Sequence, residues 1–428
     1  MLTVVVIALA IVFFALIMAS IALHEIGHLL PAKLFGVKVT QYMVGFGRTL
    51  WSTQRNGTEY GVKLVPLGGY VRLIGMYPPE RQTDRPKGWL TRFADQARSY
   101  EYEEIGPADK GRLFYEKPVW QRIIIMLGGP AMNVLLAFLI FLGIQVFHGT
   151  YQPTLEVSRV SECVIPAERE PAVCHTDDPP TPAAAAGIKV GDQIVALNGE
   201  PIEAWDELSE IVRENRDDPM VIEVRRDGQV IELPPVNTVL TAVPDRLDPT
   251  ATIEAGFLGV SPDYELVHGG VVATADQMWQ MTEMSVVALA SFPVRIYNVA
   301  VDMFTGQPRD PNSPISIIGA SRAAGELGVA EEIPAGDRAA SWFSLLGSVN
   351  LFVALLNLVP LPPLDGGHVA GALWEALRRA AARITRRPDP GPVDTARLLP
   401  VAYAVGGFLL IGGGVLIIAD LVSPISLF

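Results

Sequence analysis

The sequence predicts a polytopic α-helical membrane protein: four transmembrane helices, a membrane-associated β-hairpin region and one extracytoplasmic α+β domain. Three observations carry this. Half of the 428 residues are hydrophobic and only 18% are charged, too apolar for an ordinary soluble chain. Four stretches reach the roughly 20 apolar residues that a bilayer core requires. The charge is segregated along the chain.

The spans are 1–30, 119–147, 341–368 and 398–422. A signal peptide is the rival reading of the first, but it needs a basic leading region, and no Lys or Arg precedes Lys33. Segment 31–118 holds 14 Lys/Arg against 9 Asp/Glu, and 366–397 holds 6 against 3. The long segment 148–340 holds 12 against 31. Positive residues favour the cytoplasmic side, so both basic regions are expected inside, and the acidic region and both termini outside. The net charge of −13 is acidic, and no nucleic-acid partner is expected.

The first span ends in His24-Glu25-Ile26-Gly27-His28. On a helix, positions i and i+4 share a face, so both imidazoles can address one ion. Glu25 beside them can take a proton from water, the arrangement of zinc peptidases. The motif can arise by chance, but here two of only six histidines flank one glutamate. It also closes a membrane-length apolar run, where ionisable residues are costly and functional by default.

Region 31–118 continues with aromatic and β-branched runs, 42–51 and 60–73, punctuated by Gly. They predict short strands and hairpins. Two readings are open: an edge that pairs with an extended substrate, or a packed sheet without that role. Residues 78–118 are polar and rich in Pro and Arg, and predict a mobile cytoplasmic loop. The second span carries Gly128-Gly129-Pro130, small residues that let helices approach closely.

The outer segment starts with a linker, 148–182, bearing Cys163 and Cys174. Both cysteines fall on the outer side, where a disulfide closing this loop is worth about 3 kcal/mol; two free thiols are the alternative. A compact domain follows at 183–262. It holds an amphipathic helix at 205–215, a hairpin across Asp227-Gly228 and a last strand at Gly256-Phe257-Leu258-Gly259-Val260. Its order, and AGIKVGDQIVALNGEPI above all, resembles a bacterial PDZ domain. That resemblance implies peptide binding by strand addition between 256–260 and the 205–215 helix; a spacer that binds nothing tightly is the other reading. Residues 263–340 are read as amphipathic helices on the outer membrane surface, with a helix pair at 275–305 interrupted by Glu283, Arg295 and Asp302.

The third span carries Asn357-Leu358-Val359-Pro360-Leu361-Pro362-Pro363-Leu364-Asp365-Gly366-Gly367. Three prolines in four positions break the helix, and Asp365 is expected on irregular backbone lining a cavity. His24 lies 23 residues after Met1, and Asp365 lies 23 residues after Trp342. Both spans run inward, so all three side chains reach similar depth. His24, His28 and Asp365 can then hold one zinc ion and leave a position open. Residues 369–397 are read as a cytoplasmic loop.

HEIGH, GFGRTLW, PLGGYVRL, GGPAMN, one PDZ-like domain, PISI and NLVPLPPLDGG stand in an order that resembles the site-2 intramembrane metalloproteases. The bacterial regulator-of-sigma proteases are the closest look-alikes, in particular their actinobacterial branch. The resemblance implies a zinc endopeptidase in the bacterial plasma membrane, with its active site near the cytoplasmic side and its PDZ-like domain outside. It implies that Asn357 helps hold substrate or the developing oxyanion, and that Pro66, Leu67, Gly68 and Gly69 lie in a substrate-pairing sheet. It implies single-span substrates already shortened by an upstream site-1 protease: anti-sigma factors and signal-peptide remnants. The competing reading from another class is a non-catalytic membrane scaffold whose PDZ-like domain collects peptide ends. A metal transporter is the third, but only one ionisable cluster is present and repeats are absent.

Overall fold

The structure is a computed structural model that describes residues 2–79, 105–165, 173–216, 218–247 and 252–425. The chain forms two compact units, Gln145–Gly270 and the remainder.

The larger unit is helical. It contains α1 (Leu2–Leu34), α2 (Val119–Phe147), α5 (Val271–Thr305), α6 (Ile317–Val329), α7 (Ala335–Leu358), α8 (Asp365–Ile384) and α9 (Leu399–Val422). Helices α3 (Pro182–Ala186) and α4 (Trp205–Glu214) belong to the smaller unit. Among the described residues, α1, α2, α5, α7 and α9 are long and apolar enough to cross a membrane, so the chain is a multi-pass membrane protein. The buried side chains of α1, including Phe13, Ile17, His24 and His28, face its neighbours, while Val4, Ile7 and Ile11 are exposed. That is the pattern of a helix that packs on one stripe and offers apolar residues to lipid elsewhere. Phe13 and Ile17 form a cluster with Ala320, Ala324 and Leu346. Helix α6 comes close enough to α1 that a Cβ on Gly325 would stand 2.5 Å from the Val6 carbonyl oxygen.

The structure corrects several sequence-based expectations here. Residues 275–305 belong to one continuous 35-residue helix, α5, and not to a pair. The charges that suggested a break are 12 and 7 residues apart, and Arg295 is met within the helix by the Ser291 hydroxyl at 2.8 Å. The strands after α1 are two long ones, β1 (Val39–Arg55) and β2 (Thr58–Leu73), in one antiparallel hairpin. Bulges curl it so that Tyr42 lies opposite both Val71 and Tyr60. Of the expected mobile loop 78–118, residues 80–104 lie outside the described residues. The rest is anchored: Leu113 and Phe114 are buried, and Lys38 pairs with Asp109 at 2.8 Å. Much of the expected loop 369–397 is helical, as the larger part of α8.

The smaller unit is α+β. Its sheet runs β12–β3–β4–β7–β8, with β5 (Glu200–Pro201) paired to β4. The strands are β3 (Thr150–Val160), β4 (Gln193–Leu197), β7 (Ile222–Arg226), β8 (Gln229–Glu232) and β12 (Val260–Val267). Short β6 (Pro219–Met220) pairs with β9 (Val236–Asn237), and β10 (Val239–Pro244) with β11 (Thr252–Phe257). Helices α3 (Pro182–Ala186) and α4 (Trp205–Glu214) complete it. Leu208 and Val212 of α4 pack on Ile194, Ile222 and Val224, each buried aliphatic side chain contributing about 1.5–3 kcal/mol. Asp192 receives both arms of the Arg226 guanidinium, at 2.8 and 2.7 Å. Burial pushes its carboxyl up, but Arg226 and the Lys189 amide outweigh burial and hold it below the usual carboxylate range.

Two boundaries move. The expected linker 148–182 contains β3, which lies inside the sheet between β12 and β4. The expected single strand Gly256–Val260 is divided: Gly256 and Phe257 end β11, Val260 begins β12, and the chain turns between them at Gly259 with φ +93°. At the Gly256 end of the expected groove a Cβ would stand 2.1 Å from the Val212 carbonyl oxygen and 2.4 Å from that of Asn215. No strand fits between β11 and this end of α4.

Cys163 and Cys174 are joined, with Cα atoms 5.9 Å apart. Alkylation of the denatured, unreduced protein should therefore leave its mass unchanged. A gain of two alkyl groups would show free thiols instead.

Candidate metal centre

The centre is built at one helix crossing. Gly27 of α1 meets Gly128 of α2 so closely that a Cβ on Gly27 would stand 2.2 Å from the Gly128 carbonyl oxygen, and one on Gly128 2.0 Å from that of Gly27. No other residue fits at either position. The contact seats α2 against the face of α1 that carries both histidines. The Ile125 carbonyl lies 2.8 Å from His28 Nδ1. A carbonyl only accepts, so Nδ1 carries the proton and the Nε2 lone pair is free. Gly129 lies against the rings: a Cβ there would be 2.3 Å from His28 Nε2 and 2.7 Å from His24 Nε2.

Asp365 arrives from the other side. Helix α7 ends at Leu358, the proline run breaks the path, and α8 begins at Asp365. The expectation of irregular backbone at Asp365 is corrected: the irregular stretch is 359–364, and Asp365 opens the new helix. Gly366 and Gly367 permit the tight return. A Cβ on Gly366 would stand 2.3 Å from the Leu358 carbonyl oxygen, and one on Gly367 2.5 Å from Pro362 N.

Three donor atoms converge. His24 Nε2 and His28 Nε2 are 3.2 Å apart. Asp365 Oδ2 lies 3.5 Å from the first and 3.3 Å from the second. Zinc bonds of about 2.0–2.1 Å to nitrogen and oxygen place the donors of a tetrahedron about 3.3–3.4 Å apart. The triangle fits such an ion, and among the described residues this is the only cluster of at least three His, Cys, Asp or Glu that meets the spacing.

Glu25, Asn357 and these three residues line one cavity of about 460 Å³. Gly68, Gly69, Tyr70 and Val71 of β2 form part of its wall. Strand β2 passes Glu25 closely enough that a Cβ on Gly69 would stand 3.0 Å from Glu25 Cγ. The hairpin is tied to α1 by Tyr42, whose hydroxyl donates to the Ala22 carbonyl at 2.9 Å. Of the expected pairing residues, Gly68 and Gly69 reach the cavity. Pro66 and Leu67 are exposed and do not line it. Gly256, Phe257, Leu258, Gly259 and Val260 belong to the other unit and shape its corner. Leu258 is buried in that unit's core.

Ile125 was missed from sequence; Gly129 was expected only as a close-packing residue, and His368, the last residue of the LDGGH run, was given no place in the site. His368 lines the cavity one turn after Asp365. The LDGGH spacing could have flagged it. The role of Ile125 is carried by its backbone carbonyl and leaves no sequence signal.

The model of peptidase family M50 matches residues 12–386. Zinc metalloprotease Rip1 of Mycobacterium tuberculosis is 34% identical over 432 residues, 98% of each chain. Metalloprotease MmpA of Caulobacter vibrioides is 28% identical, over 85% of each chain. Zinc metalloprotease RasP of Shouchella clausii is 27% identical, over 86% of this chain and 90% of its own.

Metal analysis of the purified protein should find one zinc per chain, lost in His24→Ala and in Asp365→Ala. Full zinc in Asp365→Ala would remove that residue from the ligand set. Gly128→Val should force α1 and α2 apart and reduce bound zinc at least tenfold. Wild-type zinc content in that variant would show that the glycine contact does not seat the histidines.

Proposed function

The chain belongs to peptidase family M50, and on that premise we propose that it is a zinc-dependent endopeptidase cutting membrane-embedded segments of other proteins. The observation that carries this is the placement of Glu25 in one cavity with His24, His28 and Asp365. In this reading those three hold the metal. When bound, zinc supplies a Lewis acid that acidifies water and polarises a carbonyl.

The chain's own groups do the rest. Glu25 takes a proton from the attacking water and returns it to the departing nitrogen. The scissile carbonyl carbon gains a hydroxyl group, the C–N bond breaks, and the new amine leaves neutral. Asn357, on the cavity wall, offers amide N–H donors to the oxygen on which charge develops. A helical substrate shields its carbonyls with its own hydrogen bonds, so the segment must be extended before it is cut. Gly68 and Gly69 give it a narrow place beside Glu25, where backbone can pair with backbone. Unwinding costs least where the substrate has small or helix-breaking residues.

We infer four crossings, with α5 lying obliquely rather than adding a fifth. Helix α2 starts at the metal centre, and Met278, early in α5, packs on Phe141 near its far end. Arg309, just past α5, bonds Asp420 near the end of α9 at 2.6 Å. The turn before α9 starts beside Met76, which lines the cavity. Both ends of α5 therefore meet the far ends of other spans. The charge bias then favours a cytoplasmic-side centre in a bacterial plasma membrane, with the smaller, PDZ-like unit outside.

The resemblance to regulator-of-sigma proteases supports single-span substrates trimmed beforehand by a site-1 protease, such as anti-sigma factors or signal-peptide remnants. Glu25→Gln removes the base and leaves the ligands, so zinc content should match wild type while cleavage of a single-span substrate falls below a few per cent. Cleavage near the wild-type rate with zinc bound would exclude Glu25 as the base.

A further inference from the structure

Beyond the ligands and the base, the larger unit holds a carboxylate with no part in the chemistry above. Glu375 of α8 is fully buried, at 0% exposure. Its Oε1 accepts from Arg122 Nη2 of α2 at 2.5 Å and from Arg379 Nη2 at 3.0 Å. Its Oε2 accepts from the Val393 backbone N–H at 3.0 Å. Arg122 is itself 6% exposed. A buried ion pair is a poor source of stability, because desolvating both charges offsets most of their attraction. Its position needs another reason.

Helix α8 supplies one. Its first residue is Asp365, and its first turn is pinned where Gly366 and Gly367 press on the 358–362 backbone. A rod held at one end can still pivot. Glu375 lies ten residues on, about 15 Å along the axis, and is held there by Arg122. Two fixed points set the direction of the helix and therefore the place of its leading carboxylate. The second point is on the element that also sets the histidines. Ile125 and Gly129, which hold His28 and abut both rings, lie three and seven residues after Arg122.

We propose that Arg122 and Glu375 are positioning residues that hold Asp365 in register with His24 and His28, making α2 the common reference for all three donors. The proposal rests on the metal reading given above. Breaking the pair should loosen Asp365 specifically, and leave the two histidines, which Ile125 and the glycines hold independently. The size expected is that of lost outer-shell support for a metal ligand, about 10–100-fold in affinity.

The experiment uses full-length protein in detergent, stripped of metal and titrated with zinc against a chromophoric chelator, and with cobalt for its visible spectrum. Glu375→Ala should weaken zinc binding by about 10–100-fold, with Glu375→Gln, which keeps the acceptor oxygen, falling between it and wild type. In cobalt excess high enough to fill the weakened two-histidine site of Asp365→Ala, the bound-ion spectrum of Glu375→Ala should shift towards that of Asp365→Ala. If single variants fold poorly, Arg122→Met with Glu375→Met replaces both charges by apolar groups of similar length. It should unfold near the wild-type temperature and show the same spectral shift. Wild-type affinity and spectrum in these variants would overturn the proposal alone. So would a spectrum changed in a way that Asp365→Ala does not reproduce, because that is general disturbance rather than loss of one ligand. A wild-type protein that takes up neither zinc nor cobalt would overturn the metal reading as well.

Discussion

The backbone contact between Gly27 and Gly128 is the constraint from which the centre follows. Membrane helices gain little from hydrophobic burial against one another, because lipid is as apolar as leucine, so close backbone approach is what they use. Here the approach is nearly as tight as two backbones allow. It brings a carbonyl to His28 Nδ1 and a side-chain-free residue to the two rings. Any side chain at 27 or 128 would separate α1 from α2 and remove both supports. The proline break before α8 and the paired glycines in its first turn do the same work for Asp365, turning the chain so that a carboxylate meets two imidazoles within 3.3–3.5 Å.

Charge is handled consistently in this unit. Burying an ion without a partner costs far more than any single contact returns. Asp420 accepts from Arg309 and from the Ser316 amide, and Gly319 leaves space for its carboxylate. Glu375 accepts from two arginines and an amide. Glu25 and Asp365 instead line the cavity. The ions that pin helices are enclosed, and the one assigned to proton transfer faces the space where a substrate would lie.

The centre was more legible than its supports. HExxH fixes its own geometry through the helical period, and the LDG run announces itself through three prolines and two glycines. Both depend on local rules. The depth count that paired them needed only two parallel spans of equal length. What escaped were features set by distant partners. Glu375 reads as one more charge in a basic stretch until Arg122, 253 residues earlier, is seen beside it. The amphipathic period of α8 was hidden by its arginines. Strand β3 looked like linker because its partners, β12 and β4, are far along the chain. The turn at Gly259 interrupts an apolar run, and an apolar run alone does not distinguish a corner from an extended strand.

The central claim is that two histidines and one carboxylate, seated on α2, hold zinc beside Glu25. Zinc-edge X-ray absorption on the full-length protein tests it most directly. The account predicts a shell of nitrogen and oxygen at about 2.0–2.1 Å, with outer-shell scattering from two imidazoles. A sulfur neighbour at about 2.3 Å, or scattering from fewer than two imidazoles, would contradict it.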